Sequence, residues 1–258
     1  MNLDIDTLLI IVIFGFLAAF IDSVVGGGGL ITLPALLFAG LNPAAAVATN
    51  KLAGTMGSFT STMIFYRTGN IDVKSVLKYF PLVFIGSLLG AWTVHLMDPS
   101  LFKPLMLAML IIVAIFTVIK KDWGGVSTNS RLTVKRLLLV ASILMIIGFY
   151  DGFLGPGTGS FLMFTFLIIG FDFLKAAGNA KFLNFGSNLA ALLMFMFIGE
   201  VQYAIGIIMG ISGVLGSICG SRFAIKKGSG YVRVLFIIVT TVLILKNLYE
   251  YIVELTGK

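Results

Sequence analysis

The sequence predicts an all-α polytopic membrane protein. It is built as two inverted-topology repeats of about five transmembrane elements each, eight long helices plus two short glycine-broken half-helices. Three observations predict this. First, 59% of the 258 residues are hydrophobic and 11% are charged, against roughly 45–50% apolar and 25% charged in a soluble domain. So little charge cannot cover the surface of a soluble protein of this size, and mean hydropathy is +1.07. Second, the apolar residues fall into runs of membrane-spanning length. Third, the second half of the chain repeats motifs of the first.

The long apolar stretches are 5–25, 43–66, 76–97, 101–119, 137–154, 174–198, 202–221 and 232–253, near the ~20 residues a spanning helix needs. The first follows Met1-Asn-Leu-Asp-Ile-Asp6, acidic where a signal peptide would be basic, and no A-x-A cleavage site follows it. It is expected to be a retained helix. Two short stretches, Leu30–Gly40 and Ser160–Gly170, have 11 residues each, too few to cross ~30 Å of hydrocarbon at ~1.5 Å per residue. Each follows a glycine cluster: Gly26-Gly27-Gly28-Gly29, and Gly155-Pro156-Gly157-Thr158-Gly159. Glycine unwinds helices, so each short stretch reads as a half-helix starting inside the membrane after a break.

A shift of 130 residues aligns Gly27 with Gly157, Gly29 with Gly159, Gly40 with Gly170, Lys51 with Lys181, Phe65 with Phe195 and Gly69 with Gly199. It continues to Gly86-Ser87 with Gly216-Ser217, Gly90 with Gly220 and Lys103 with Arg233. Upstream, Gly15-Phe16 matches Gly148-Phe149 after a three-residue gap. Composition bias scatters glycine matches but does not place a lysine pair and two G-S-x-x-G segments on one shift. The expected organisation is 1–122 as the first repeat, 123–136 as a basic cytoplasmic linker and 137–258 as the second repeat.

Charge orients the repeats. With the half-helices counted as crossings, one set of loops holds Arg67, Lys74 and Lys78, then Lys120, Lys121, Arg131, Lys135 and Arg136, then Phe171–Lys175, then Arg222, Lys226, Lys227 and Arg233. The opposite set holds Asp4, Asp6, Asp98, Glu200 and Glu254, with few bases beyond Lys103 and Lys258. Basic loops stay in the cytoplasm. An odd number of elements per repeat makes the second copy run opposite to the first, as in many secondary transporters. The net charge of +7 follows from the same rule and needs no nucleic-acid partner. The lipid bilayer is the expected partner, in the plasma membrane (the inner membrane in a bacterium). The sequence leaves monomer and homodimer open.

The candidate site begins at the breaks. A half-helix N-terminus offers unpaired N–H groups and about half a positive charge, which suits an anion. Gly26, Gly27, Gly28, Gly29, Gly157, Thr158 and Gly159 are therefore candidate binding positions. For Gly86-x-x-x-Gly90 and Gly216-x-x-x-Gly220, close helix packing is the better reading. Lys51 and Lys181 lie in helices nearly free of charge, within Ala48-Thr49-Asn50-Lys51 and Gly178-Asn179-Ala180-Lys181. Charge at membrane depth normally faces a cavity. Snorkelling to an interface and pairing with Asp22 or Asp151 are the alternatives. Lysine protonation linked to anion occupancy would offer a proton linkage. Asp22 and Asp151 each precede a glycine cluster without aligning on the repeat; proton relay, helix cap and lysine partner all remain open for them. Thr49, Asn50, Thr55, Ser58, Thr158, Asn179, Asn184, Ser187 and Asn188 can line a polar cavity, although Ser and Thr often bond only their own helix. Trp92, Trp123, Tyr66, Tyr150 and His95 read as interface anchors, and Cys219 as a small core residue.

One Cys and one His leave no thiolate cluster, disulfide or multi-histidine metal site, and no cofactor is expected. The sequence has no Walker loop, H-E-x-x-H or G-x-S-x-G, so neither ATP-driven transport nor an intramembrane hydrolase is expected. The residues favour a secondary transporter of a small anion. Its rivals are an importer of another small solute, a cation carrier using Asp22 and Asp151, an intramembrane enzyme, for which one His and one Cys far apart make a poor nucleophile–base set, and a structural or assembly protein.

The run Gly26-Gly27-Gly28-Gly29-Leu30-Ile31-Thr32-Leu33-Pro34, then Gly40, then Ala48-Thr49-Asn50-Lys51, with a degenerate second copy, resembles the TauE/SafE family of sulfite and organosulfonate exporters. The resemblance covers nearly the whole chain. The second copy departs from the pattern, with Phe164 in the place of Pro34 and Gly178-Asn179 in the place of Ala48-Thr49. The resemblance implies outward transport of sulfite or an organosulfonate such as sulfoacetate by alternating access. One negative charge leaving a negative interior gains ~2.3 kcal/mol per 100 mV, so such export could run without ion coupling.

Overall fold

The computed structural model describes residues 4–98 and 134–228, together with Leu105. The expected helices at 101–119 and 232–253, nearly all of the 123–136 linker, Trp123, Lys103 and Arg233 lie outside the described residues. Among the described residues there are eight helices and no strand. They are α1 (Ile5–Val25), α2 (Gly29–Phe38), α3 (Pro43–Arg67), α4 (Val73–Leu96, with a 3₁₀ turn at Leu77–Tyr79), α5 (Val134–Phe153), α6 (Thr158–Ile169), α7 (Phe173–Ile198) and α8 (Tyr203–Gly228).

The helix starts follow from local chemistry. The carboxylate of Asp4 accepts the Thr7 N–H at 3.3 Å, the Asn42 amide oxygen accepts the Ala45 N–H at 2.8 Å, and the Asp172 carboxylate accepts the Leu174 and Lys175 N–H groups at 3.0 Å each. Each satisfies a donor that has no partner within the helix. Pro43 opens α3, where its missing N–H costs nothing. The sequence places the end of α8 at 221, but the helix runs on to Gly228. Arg222, Lys226 and Lys227 therefore sit on its last turns, not in a loop. Basic side chains favour a helix C-terminus.

Five helices, α1, α4, α5, α7 and α8, are long and apolar enough to cross a membrane. Their outward faces carry exposed Leu9, Ile13 and Leu17 on α1, Ile85, Leu89 and Trp92 on α4, Leu138 and Ile146 on α5, and Ile207, Ile211 and Leu215 on α8. Cys219 is exposed on this last face. It is not a core residue, because the opposite face of α8, with Gly216 and Gly220, packs inward. Helix α3 also has spanning length, at 25 residues, yet it is rich in Thr, Ser, Gly and Asn. It needs little apolar surface because most of it is enclosed: Thr49, Asn50, Lys51, Ser58 and Ser61 are all buried.

Glycines set how the helices meet. On α4, a Cβ at Gly86 or Gly90 would run into the carbonyl oxygens of Met145 and Phe149 on α5; on α8, one at Gly216 or Gly220 would run into those of Phe16 and Phe20 on α1. These glycines are packing residues, as small residues at membrane interfaces are. Residue numbers rise together in both contacts, so α4 runs parallel to α5 and α8 parallel to α1. Helix α3 runs antiparallel to α7: Gly54 lies by Asn188, the Phe59 and Phe185 rings are 5.3 Å apart, and the loop N–H of Asp72 bonds the Asn179 amide oxygen. The end of α3, the starts of α4 and α7 and the end of α8 thus gather at one end of the bundle. That end holds Arg67, Lys74, Lys78, Lys175, Arg222, Lys226 and Lys227, with Asp72 and Asp172 used as helix caps.

The same contacts correct one alignment. Met145 and Phe149 occupy the surroundings of Phe16 and Phe20, an offset of 129 residues. Against the match of Gly15-Phe16 to Gly148-Phe149, the packing puts Met145 in the surroundings of Phe16. At the offset of 129, Asp22 falls on Asp151. The one-residue difference from 130 arises in the breaks, where three residues (26–28) separate α1 from α2 and four (154–157) separate α5 from α6.

Candidate functional site

The site forms where the two breaks meet. Helix α1 ends as Gly26 turns to φ 81° and donates its N–H to the Asp22 carbonyl at 2.9 Å; α6 follows Gly157 at φ 79°. Both are left-handed backbone positions that glycine adopts without strain. The N-cap positions of α2 and α6 are the glycines Gly28 and Gly157; the Asp22 carboxylate takes the Gly28 N–H, and α6 has no side-chain cap. The breaks lie against each other: a Cβ on Gly29 would be 3.1 Å from Pro156 Cα, and one on Gly26 would strike Gly159 and Ser160. The Ser160 hydroxyl donates to the Val25 carbonyl at 3.1 Å, and the Tyr150 hydroxyl donates to the Pro156 carbonyl at 2.6 Å. Tyr150 therefore braces the second break and is not an interface anchor. Trp92 and His95 are exposed, with ring centroids 5.6 Å apart near the end of α4.

Around the breaks stand two ion pairs that cross between the halves of the chain. Lys51 Nζ on α3 is 2.9 Å from Asp151 Oδ1 on α5, and Lys181 Nζ on α7 is 2.5 Å from Asp22 Oδ2 on α1. The side chains of Lys51, Asp151 and Lys181 are at most 2% exposed. That overturns snorkelling for both lysines. Asp22 is 26% exposed. The two aspartates differ in their second oxygen. Asp22 Oδ1 accepts the Gly28 N–H at 3.1 Å, whereas Asp151 Oδ2 is buried with no hydrogen-bond partner among the described residues.

A cavity of about 60 Å³ lies among these groups. A water needs ~10–15 Å³ of such space, so it holds a few waters or an anion of about four or five heavy atoms. Asp22, Gly27, Gly28, Gly29, Asn50, Lys51, Asp151, Gly157, Thr158 and Gly159 line it. Gly26 packs on Gly159 instead, and Lys181 stands behind Asp22. Thr49 and Asn179 are also elsewhere. Each is fully buried and accepts one loop N–H, Thr49 that of Gln202 at 3.1 Å and Asn179 that of Asp72 at 2.9 Å. They pin equivalent loops and do not line the cavity.

Thr32 is a lining residue that sequence reasoning passed over. Its hydroxyl donates to Asn50 Oδ1 at 2.6 Å. The signal was a lone hydroxyl four residues after Gly28 in an otherwise apolar half-helix. Asn184 and Asn188 line the cavity as well. Most of the other hydroxyls bond their own helix, Thr55 to Lys51 and Ser58 to Gly54. A larger cavity of about 250 Å³ lies at the opposite end from the basic cluster, between the start of α3 and the ends of α4 and α7. It has His95 and Glu200 at its edge but mainly apolar walls.

Irregular backbone at membrane depth is tolerated only where protein or a polar cavity covers it, and buried charge there marks a transport path more often than a scaffold. Several spanning helices around such a centre define a multi-pass membrane transporter. The chain belongs to the TauE/SafE sulfite exporter family, whose model matches residues 11–247. It is 38% identical over 250 residues to the probable membrane transporter protein ORF9 of Sinorhizobium sp, covering 96% of this chain and 95% of that one. It is 36% identical over 249 residues to the probable membrane transporter protein YfcA of Escherichia coli K12, covering 95% and 92%. It is 34% identical over 251 residues to a probable membrane transporter protein of Haemophilus influenzae, covering 97% and 98%. No solved structure matches the chain.

Proposed function

We propose that this protein is a secondary transporter that carries a small anion, sulfite or a short organosulfonate, outward across the plasma membrane. The observation that carries the reading is the meeting of two half-helix N-termini, begun by Gly28 and Gly157, at a cavity reached by the Lys51 ammonium. Helix N-termini favour negative charge, and lysine adds a mobile donor. The cavity volume suits an ion the size of sulfite. The name of the family supports the choice of sulfur oxyanions.

The mechanism we propose is alternating access by rocking of two inverted repeats, 1–122 and 137–258, joined by the basic 123–136 linker. Parallel packing of α1 on α8 and of α4 on α5, with α3 antiparallel to α7, supports the inverted relation. The cluster of bases at one end supports a cytoplasmic position for that end. Lys181 would enter the site when Asp22 releases it. A single chain would then hold a complete site.

Reconstituted liposomes test this. Counterflow of sulfite, sulfoacetate, methanesulfonate and sulfate is measured against a neutral solute and a monovalent cation. Saturable exchange of a sulfur oxyanion is the expected result. Exchange of only the neutral solute or the cation would refute the anion reading.

A further inference from the structure

We propose that a proton is the co-substrate of this carrier, bound at Asp151 Oδ2 when the transported anion draws Lys51 away from Asp151. The inference rests on the anion-transport reading above and adds the coupling ion.

The charges around the site are few. Lys51 comes from α3, Lys181 from α7, Asp22 from α1 and Asp151 from α5. Helices α2 and α6 contain no charged residue; Lys74 and Lys78 of α4, Lys135 and Arg136 of α5, Lys175 of α7 and the bases of α8 lie at the basic end of the bundle, and His95 at the far end of α4. Tyr150, next to Asp151, is committed to the Pro156 carbonyl. Two lysines against two aspartates leave the empty site neutral. An anion entering alone would put the side chains one negative charge in excess, opposed only by the partial charges of the two helix ends, which is unfavourable where water is largely excluded. A co-bound proton removes it.

The two aspartates are not equally free to take that proton. Asp22 has both oxygens engaged, by the Lys181 ammonium and the Gly28 N–H. Protonation there would also loosen the first glycine turn. Asp151 has one oxygen on Lys51 and the other buried without a partner. The exchange balances in charge. The Lys51 N–H leaves Asp151 Oδ1 for the anion, and a proton from the loading side bonds Oδ2. On release, the anion departs, the proton returns to water and the ion pair re-forms. Anion and proton cross together, so a monovalent load moves no net charge. A metal cation in the proton's place would need a cage of ligands. Among the described residues no group of three His, Cys, Asp or Glu side chains could hold a metal ion.

The coupling changes what drives export. The membrane potential no longer expels the anion, and efflux follows the combined gradient of anion and proton, as suits a product released with its acid.

The test uses the full chain in liposomes with methanesulfonate, a monoanion that brings no proton of its own. With the potential clamped at zero, one unit of pH difference should accumulate it about tenfold on the alkaline side, above protein-free vesicles, and a lumenal dye should report acidification. With equal pH on both sides, a potential of 100 mV should leave the distribution unchanged, where an uncoupled uniporter would shift it about fiftyfold. Asp151→Asn should lose the pH-driven accumulation relative to its own counterflow rate, whereas Asp22→Asn should lower both together. Exchange driven by the potential or by a sodium gradient, without a pH response, overturns the inference and leaves anion transport standing. Absence of counterflow for methanesulfonate and sulfite alike overturns both. If only sulfite exchanges, wild type and Asp151→Asn are compared at one pH unit, where the protonation of sulfite itself is common to both. A difference below threefold then overturns the inference.

Discussion

The Lys51–Asp151 and Lys181–Asp22 pairs each join the two halves of the chain and both reach the cavity, yet the first is sealed from solvent while Asp22 of the second is 26% exposed. Ala18 and Ala19 on α1, Gly54 and Gly57 on α3 and Gly213 on α8 line the cavity on which Asp22 opens. In the other half the Phe80 ring of α4 lies over Gly186 of α7 and packs on Phe182 with centroids 5.3 Å apart. Equal chemistry therefore sits in two settings, one pair wholly buried and the other open to water at Asp22.

The largest expected effect breaks the sealed pair. Lys51→Met strands the Asp151 carboxylate and should cost about 3–5 kcal/mol, read as a fall in thermal stability in detergent. Lys181→Met should cost clearly less, because Asp22 is partly exposed and keeps the Gly28 N–H. Equal losses would remove the distinction between the pairs. Next come the packing glycines. Gly152→Ala and Gly90→Ala force a Cβ into the Ser87 and Phe149 carbonyl oxygens; each should cost roughly 1–3 kcal/mol. Gly40→Ala meets open space at φ 86°, so only backbone strain of about 1–2 kcal/mol should appear. The smallest effects belong to the loop staples. Thr49→Ala and Asn179→Ala should each cost about 1 kcal/mol and leave anion affinity unaltered. A change in affinity would return both residues to the site.

The helices were legible because apolar runs and glycine clusters act locally. Short stretches beginning near Leu30 and Ser160 became half-helices for the reason their length implied. That Asp22 and Asp151 stand in like surroundings was not legible. A one-residue difference between the breaks hides it, and only the packing of α1 on α8 and of α5 on α4 restores the offset. Thr49 and Asn179 looked like lining residues because they stand beside the lysines in sequence. A residue two positions away on a helix points about 200° around its axis, so they face the neighbouring loops. Pairing between distant residues, such as Lys181 with Asp22, follows from tertiary packing and has no local signature.

The central claim is that the anion binds between the two glycine breaks by taking over a lysine. Equilibrium binding of radiolabelled sulfite to the purified protein tests it most directly, with wild type compared to Lys181→Gln and to the double variant Lys51→Met, Asp151→Leu. The double variant removes both charges of the sealed pair together and so strands neither. Saturable binding by wild type and at least a tenfold loss of affinity in each variant, with folding retained, is the predicted result. Wild-type affinity in both folded variants would contradict the account.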